Sequence, residues 1–103
     1  MKKFMTIPVL ILATGLAAGP ALASEELAKK HGCMACHGID KKLVGPAFKE
    51  IAVKYKSEKD AVPLLARHVR GGSKGVWGNA VMPPQAGISD DNLGKVVSWI
   101  LQQ

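Results

Sequence analysis

Two thiols three positions apart with an imidazole directly behind them, Cys33-Met34-Ala35-Cys36-His37, constrain this chain more than any other feature. Cys-x-x-Cys-His is the attachment signal for c-type haem. Two sulfurs on one turn can each add to a haem vinyl group, and the clamp so formed carries the next side chain under the iron. His37 then becomes the proximal ligand, and its other ring nitrogen needs an acceptor to fix the ring. Three other readings compete. A thioredoxin-like redox pair belongs in a βαβ pattern, and no strand-like alternation precedes residue 33. Structural zinc could draw on His31, Cys33, Cys36 and His37, but such sites normally join two separated ligand pairs. A plain disulfide across so small a ring is common only as a reactive redox bond. Covalent haem through Cys33 and Cys36 is the reading that uses the trailing histidine.

The compartment follows from the first 23 residues. Met1-Lys2-Lys3 is a basic start, Pro8 to Ala18 is almost wholly apolar or small, and Ala21-Leu22-Ala23 is a small-x-small ending. This is the pattern of a secretory signal peptide. Thr14, Gly15, Gly19 and Pro20 break the apolar run, short of the about 20 residues that a membrane-spanning helix needs. A retained anchor is the competing reading. The expected organisation is a leader at 1–23 and one domain at 24–103, exported to the periplasm. The full chain carries 14 Lys+Arg against 8 Asp+Glu. Without Lys2 and Lys3 the balance is 12 against 8, scattered through every segment. Nucleic acid is not expected as a partner, because binding it calls for a contiguous basic stripe or a reading motif. Phe48, Tyr55, Trp77 and Trp99 are the only aromatics left after residue 23. In a domain this small, a core of side chains alone supplies only about 3–5 kcal/mol, so a cofactor is expected to help fill the interior.

Helical signals dominate the remainder. Ser24 can cap a first helix opened by Glu25 and Glu26 and stopped by Gly32. Pro46 suits the first position of a second helix, in which Phe48, Ile51, Ala52 and Tyr55 recur at i, i+3, i+4, i+7. A third begins near Asp60, tolerates Pro63 in its first turn, shows Leu65 and Val69 on one side and ends at Gly71-Gly72. Residues 73–88 have neither a helical nor a strand period, and loops of this length are usually functional. Ser89 caps a terminal helix with Asp90 and Asp91 in its first turn and Leu93, Val96, Val97 and Ile100 as its apolar face. The expected class is all-α, with about four short helices enclosing one haem. His31 and His68 read as surface or packing residues.

With His37 on one axial position, a side chain, water or a small molecule takes the other. Met34 sits between the anchoring cysteines and cannot reach the opposite haem face. Met82 stands in the irregular segment, followed by Pro83 and Pro84, which restrict the backbone. His37 and Met82 are therefore the expected iron ligands.

The stretches Gly32-Cys-Met-Ala-Cys-His37, Val44-Gly-Pro-Ala-Phe48, Gly75-Val-Trp-Gly78, Met82-Pro-Pro84 and Trp99-Ile100-Leu101 occur in this order. Together they resemble the bacterial cytochrome c-551/c-552 family of small class I cytochromes c over nearly all of residues 24–103. The resemblance implies a mostly helical shell around a single haem and electron shuttling in the periplasm, without enzymatic activity. It makes Pro46 the carbonyl acceptor for the free ring N–H of His37 and Trp77 a hydrogen-bond donor to a haem propionate. Gln85 falls where the family usually has an amide near the methionine sulfur. Val81 departs from the proline that many members have before the ligand methionine, and Ala86-Gly87-Ile88 is one residue longer than in the shortest members. The haem edge is expected among Met34, Leu43, Val44, Ala80 and Val81, with Lys30, Lys41 and Lys42 at the rim. Partners implied for a monomeric carrier of this kind are a quinol-oxidising complex, a nitrite reductase, a peroxidase or a terminal oxidase. A five-coordinate haem module with a peroxidase-like or gas-binding role is the alternative.

Overall fold

The computed structural model describes residues 2–15 and 19–103. Among these residues the chain forms α1 (Pro20–Lys30), α2 (Phe48–Lys54), α3 (Ala61–Gly71) and α4 (Asp90–Ile100). A 3-10 turn lies at Cys33–Ala35, and a small antiparallel hairpin is made by β1 (Ser73–Gly75) and β2 (Gly78–Met82). The helical class expected from sequence holds, with the hairpin as an addition inside the segment expected to be irregular.

The first helix differs from expectation at its start. Gly19 is its N-cap and Pro20 opens it, so Ser24 lies inside the helix and is buried instead of capping it. Proline supplies the preset φ of a first helical position, and Ala21-Leu22-Ala23 are residues that propagate a helix. Lys29 lies 3.8 Å from the half-buried Glu25 and 3.5 Å from the exposed Glu26, pairs that stabilise a helix only slightly. Met1 and residues 16–18, part of the expected leader, lie outside the described residues. Phe4, Met5, Ile7 and Val9 to Leu12 are exposed and take no part in the core. No helix among the described residues is long and apolar enough to cross a membrane.

The second helix begins at Phe48, with Ala47 as its N-cap, so Pro46 stands just before it instead of at its first position. Glu50 reaches back to accept from the Ala47 N–H at 3.3 Å, one half of a capping box. The third helix ends at Gly71, where the Gly-Gly signal put its end. The fourth is capped by Ser89, whose hydroxyl accepts from the Asn92 N–H at 3.2 Å. Its buried face, Leu93, Val96, Val97, Trp99 and Ile100, packs against α1, α3 and α2 and forms the spine of the core. Phe48 is buried beneath it, edge-on to Trp99 at 5.4 Å between ring centroids, a favoured aromatic geometry.

Candidate functional site

The two cysteines lie on either side of one tight turn. The N–H groups of Cys36 and His37 both donate to the Cys33 carbonyl, at 3.2 and 3.0 Å, which carries the chain from the first thiol to the imidazole without an extended step. Both cysteines are half-buried, and they are not bonded to each other. Burial raises the Cys33 pKa above its ordinary value, a hydrogen bond with its own backbone opposes this, and the charge of Cys36 adds to the rise. A neutral Cys33 thiol is the form expected in an apolar wall.

His37 is buried and held on several sides. Its Nδ1–H donates to the Pro46 carbonyl across 2.7 Å, leaving Nε2 with the lone pair that a metal needs. Its ring stacks on Phe48, with centroids 5.2 Å apart and planes 19° apart, so the imidazole is tied through Phe48 to Trp99 of α4. The segment that bears the carbonyl folds back over the ring because the Gly45 N–H donates to the Cys36 carbonyl at 2.7 Å. A side chain at position 45 would put its Cβ 2.6 Å from the imidazole Cε1, so only glycine lets the backbone come this close.

Met82 is the last residue of β2 and pairs with Ser73 across the hairpin. Gly72 has a φ of +78°, and a Cβ there would lie 2.7 Å from the Met82 carbonyl oxygen and 3.1 Å from Pro84 Cδ. The end of α3 therefore abuts the Met82-Pro83-Pro84 segment directly. Trp77, half-buried in the turn between the two strands, carries Lys54 Nζ 5.0 Å above its ring centroid, a cation–π contact. Gln85 is half-buried; its side-chain amide donates to the Pro83 carbonyl at 3.3 Å and its backbone N–H to Val69 at 2.9 Å.

One cleft collects these groups. Cys33, Cys36, His37, Pro46, Trp77, Met82 and Gln85 all line it, and every one of them was singled out from sequence. Its remaining walls are mainly apolar: Phe48, Ile51, Leu65, Ile88, Leu93, Val96, Val97 and Ile100 supply them, and among the described residues no Asp, Glu, Lys or Arg faces it. His31 and His68 also line it, half-buried, where the sequence reading expected surface or packing positions. Two thiols, an imidazole with a free Nε2 and a thioether in an apolar, carboxylate-free cleft suit a flat hydrophobic macrocycle with a soft-liganded iron better than a hydrated cation. The residues present therefore fit haem c.

Comparison with known proteins agrees. Residues 17–103 match the family model for cytochrome c. The chain is 49% identical over 86 residues to cytochrome c-552 of Nitrosomonas europaea, covering 84% of each protein. It is 46% identical to cytochrome c-552 of Hydrogenobacter thermophilus, over 98% of this chain and 97% of that one. Cytochrome c-551 of Pseudomonas aeruginosa is 43% identical, over 100% and 99% respectively. The crystal structure of wild-type Nitrosomonas europaea cytochrome c552 superposes with a TM-score of 0.72 and 48% identity, covering 75% of this chain and 95% of that one. Fold, thiol spacing and relatives converge: the chain belongs to the cytochrome c family, carrying one haem c on Cys33 and Cys36 as an electron carrier and not an enzyme.

Proposed function

We propose that this carrier is a periplasmic single-haem protein whose iron is held by His37 Nε2 and the Met82 sulfur. The observation that carries the reading is that one apolar cleft is lined by both side chains while the other imidazole nitrogen is already committed to Pro46. A haem ligated in this way supplies a one-electron ferric/ferrous couple, with methionine raising its potential. The chain's own part is to hold the two ligands, exclude water with the α3 and α4 side chains and bring an edge of the cleft to the surface. Leu43, Val44 and Val81 are 51, 66 and 60% exposed, with Lys41 and Lys42 exposed next to them, which supports an apolar contact face with a basic rim. Such faces allow close, short-lived contact with redox partners. Trp77 lines the cleft, in keeping with an indole donor to a propionate. Export is supported by residues 2–15, whose apolar side chains add nothing to the core and whose removal would leave it intact. A cut after Ala23 would also return Ser24 to the start of α1.

Met82→Ala tests the ligand. The variant is expected to keep its haem, because the thioethers do not depend on position 82. It should lose the ferric sulfur-to-iron charge-transfer band, bind carbon monoxide when reduced and have a lower potential. A native low-spin spectrum and potential in the variant would remove Met82 and send the search to His31 and His68. A wild-type protein without the charge-transfer band would favour the five-coordinate gas-binding or peroxidase-like module instead.

A further inference from the structure

The segment after Met82 has an unusual anchoring problem. Pro83 and Pro84 have no N–H, so neither can tie this stretch to a neighbour by donating, and no helix or strand covers residues 83–89. The first backbone donor after Met82 is Gln85, and it goes to the Val69 carbonyl in the last turns of α3. The carbonyls that follow accept from a single side chain. Arg70, next along α3, donates Nη1–H to Gln85 O and to Ala86 O, both at 3.2 Å, and Nη2–H to Asp90 Oδ1 at 2.8 Å.

One guanidinium thus spans the end of α3, the chain leaving Met82 and the first residue of α4. Its planar fork of five donors can meet two carbonyls and a carboxylate together, which an ammonium cannot do in the same geometry. The carboxylate arm is the weaker one: the Asp90 side chain is 99% exposed and the Arg70 side chain 34%, and exposed ion pairs contribute little. The two carbonyl contacts tie residues 85 and 86, just after Met82, to α3. Upstream, Met82 is held by its pairing with Ser73; downstream, the structure offers Gln85 N–H and Arg70.

We infer that Arg70 is a positioning residue for the methionine ligand, acting through the Gln85 and Ala86 carbonyls to keep the Met82 sulfur on the iron. This rests on the His37/Met82 reading above. A thioether on a loosely held segment would leave the iron more often, and the population of that open state would set how strongly an added ligand binds.

Ferric holoprotein titrated with imidazole tests the role. Arg70→Gln is expected to raise the apparent imidazole affinity roughly tenfold, the scale of losing hydrogen bonds to a charged donor. Arg70→Lys, which can keep one carbonyl contact, should give an intermediate rise, and this variant decides the matter if Arg70→Gln does not accumulate as holoprotein. Asp90→Asn should change the affinity by less than about twofold. Unchanged imidazole affinity in the Arg70 variants, with or without a lower denaturation midpoint, overturns the role and leaves Arg70 a structural tie only. A larger effect from Asp90→Asn than from Arg70→Lys would also overturn it, because the ion pair and not the carbonyl contacts would then hold the segment. A wild-type protein that lacks the sulfur-to-iron band would instead mark failure of the Met82 reading itself.

Discussion

His37, the proposed iron ligand, is positioned by groups that would not themselves touch the metal. The Pro46 carbonyl selects its tautomer, the Phe48 face sets the tilt of its ring, and the missing side chain at Gly45 makes room for it. The Cys-x-x-Cys-His spacing announced the imidazole, but not the glycine eight residues later whose Cβ would strike it. Gly45→Ala should force either the ring or the Gly45–Cys36 hydrogen bond to move. A cost of about 1–3 kcal/mol is expected, the usual range for overpacking a tight site, together with shifted low-spin g-values in the ferric electron paramagnetic resonance spectrum. Denaturant melts and that spectrum check it, and a variant indistinguishable from wild type in both would mean that the segment yields freely. Trp77 is a second case: its ring gains a cation from Lys54, a partner 23 positions away that only folding brings near.

Among the elements, α3 and α4 were legible because each runs 11 residues with a sustained apolar face, and because Gly-Gly and Ser-Asp-Asp are strong stop and start signals. The hairpin was not. Ser73–Gly75 is three residues long, Gly78–Met82 is five and rich in small side chains, and the register slips between Lys74 and Gly75. Such strands carry no period; they form because α3 ends against them and brings Ser73 opposite Met82. Gly72 is the joint. Gly72→Ala would place a Cβ against the Met82 carbonyl at a positive φ with an extended ψ, a conformation that is essentially glycine-only and alone costs about 1–3 kcal/mol. Because the clash falls on the segment of the proposed Met82 ligand, the variant is expected to lose the sulfur-to-iron band at a lower temperature than wild type, by a larger margin than its helical circular dichroism signal falls. Equal shifts of the two would assign Gly72 a purely structural role.

At the scale of the whole molecule, the cleft and the core are largely the same residues. Phe48, Ile51, Leu65, Ile88, Leu93, Val96, Val97 and Ile100 are buried and also line the cleft. With the haem in place these side chains pack against it; without it they face a cleft that side chains alone do not fill, and unfilled apolar volume costs stability. Folding and cofactor attachment are therefore coupled. Protein made as Cys33→Ala/Cys36→Ala without haem is expected to show weak helical circular dichroism and no cooperative melt, since a core of this size supplies only about 3–5 kcal/mol unaided. A native-like cooperative transition in that variant would show that the helices close without the cofactor.

What the sequence determined alone was chemistry and periodicity: a thiol pair with its histidine, a methionine followed by two prolines, and the apolar faces of the later helices, all of which are encoded in residues close together along the chain. The start of α1 went otherwise because Pro20 and the alanines after it favour a helix more strongly than Ser24 favours a cap. Tertiary structure decided how those pieces meet. The hairpin register, the approach of Gly45 to the imidazole and of Gly72 to the Met82 carbonyl, and the reach of Arg70 to carbonyls 15 and 16 residues away depend on contacts between distant segments. They exist only once α4 has gathered α1, α2 and α3 around the cleft.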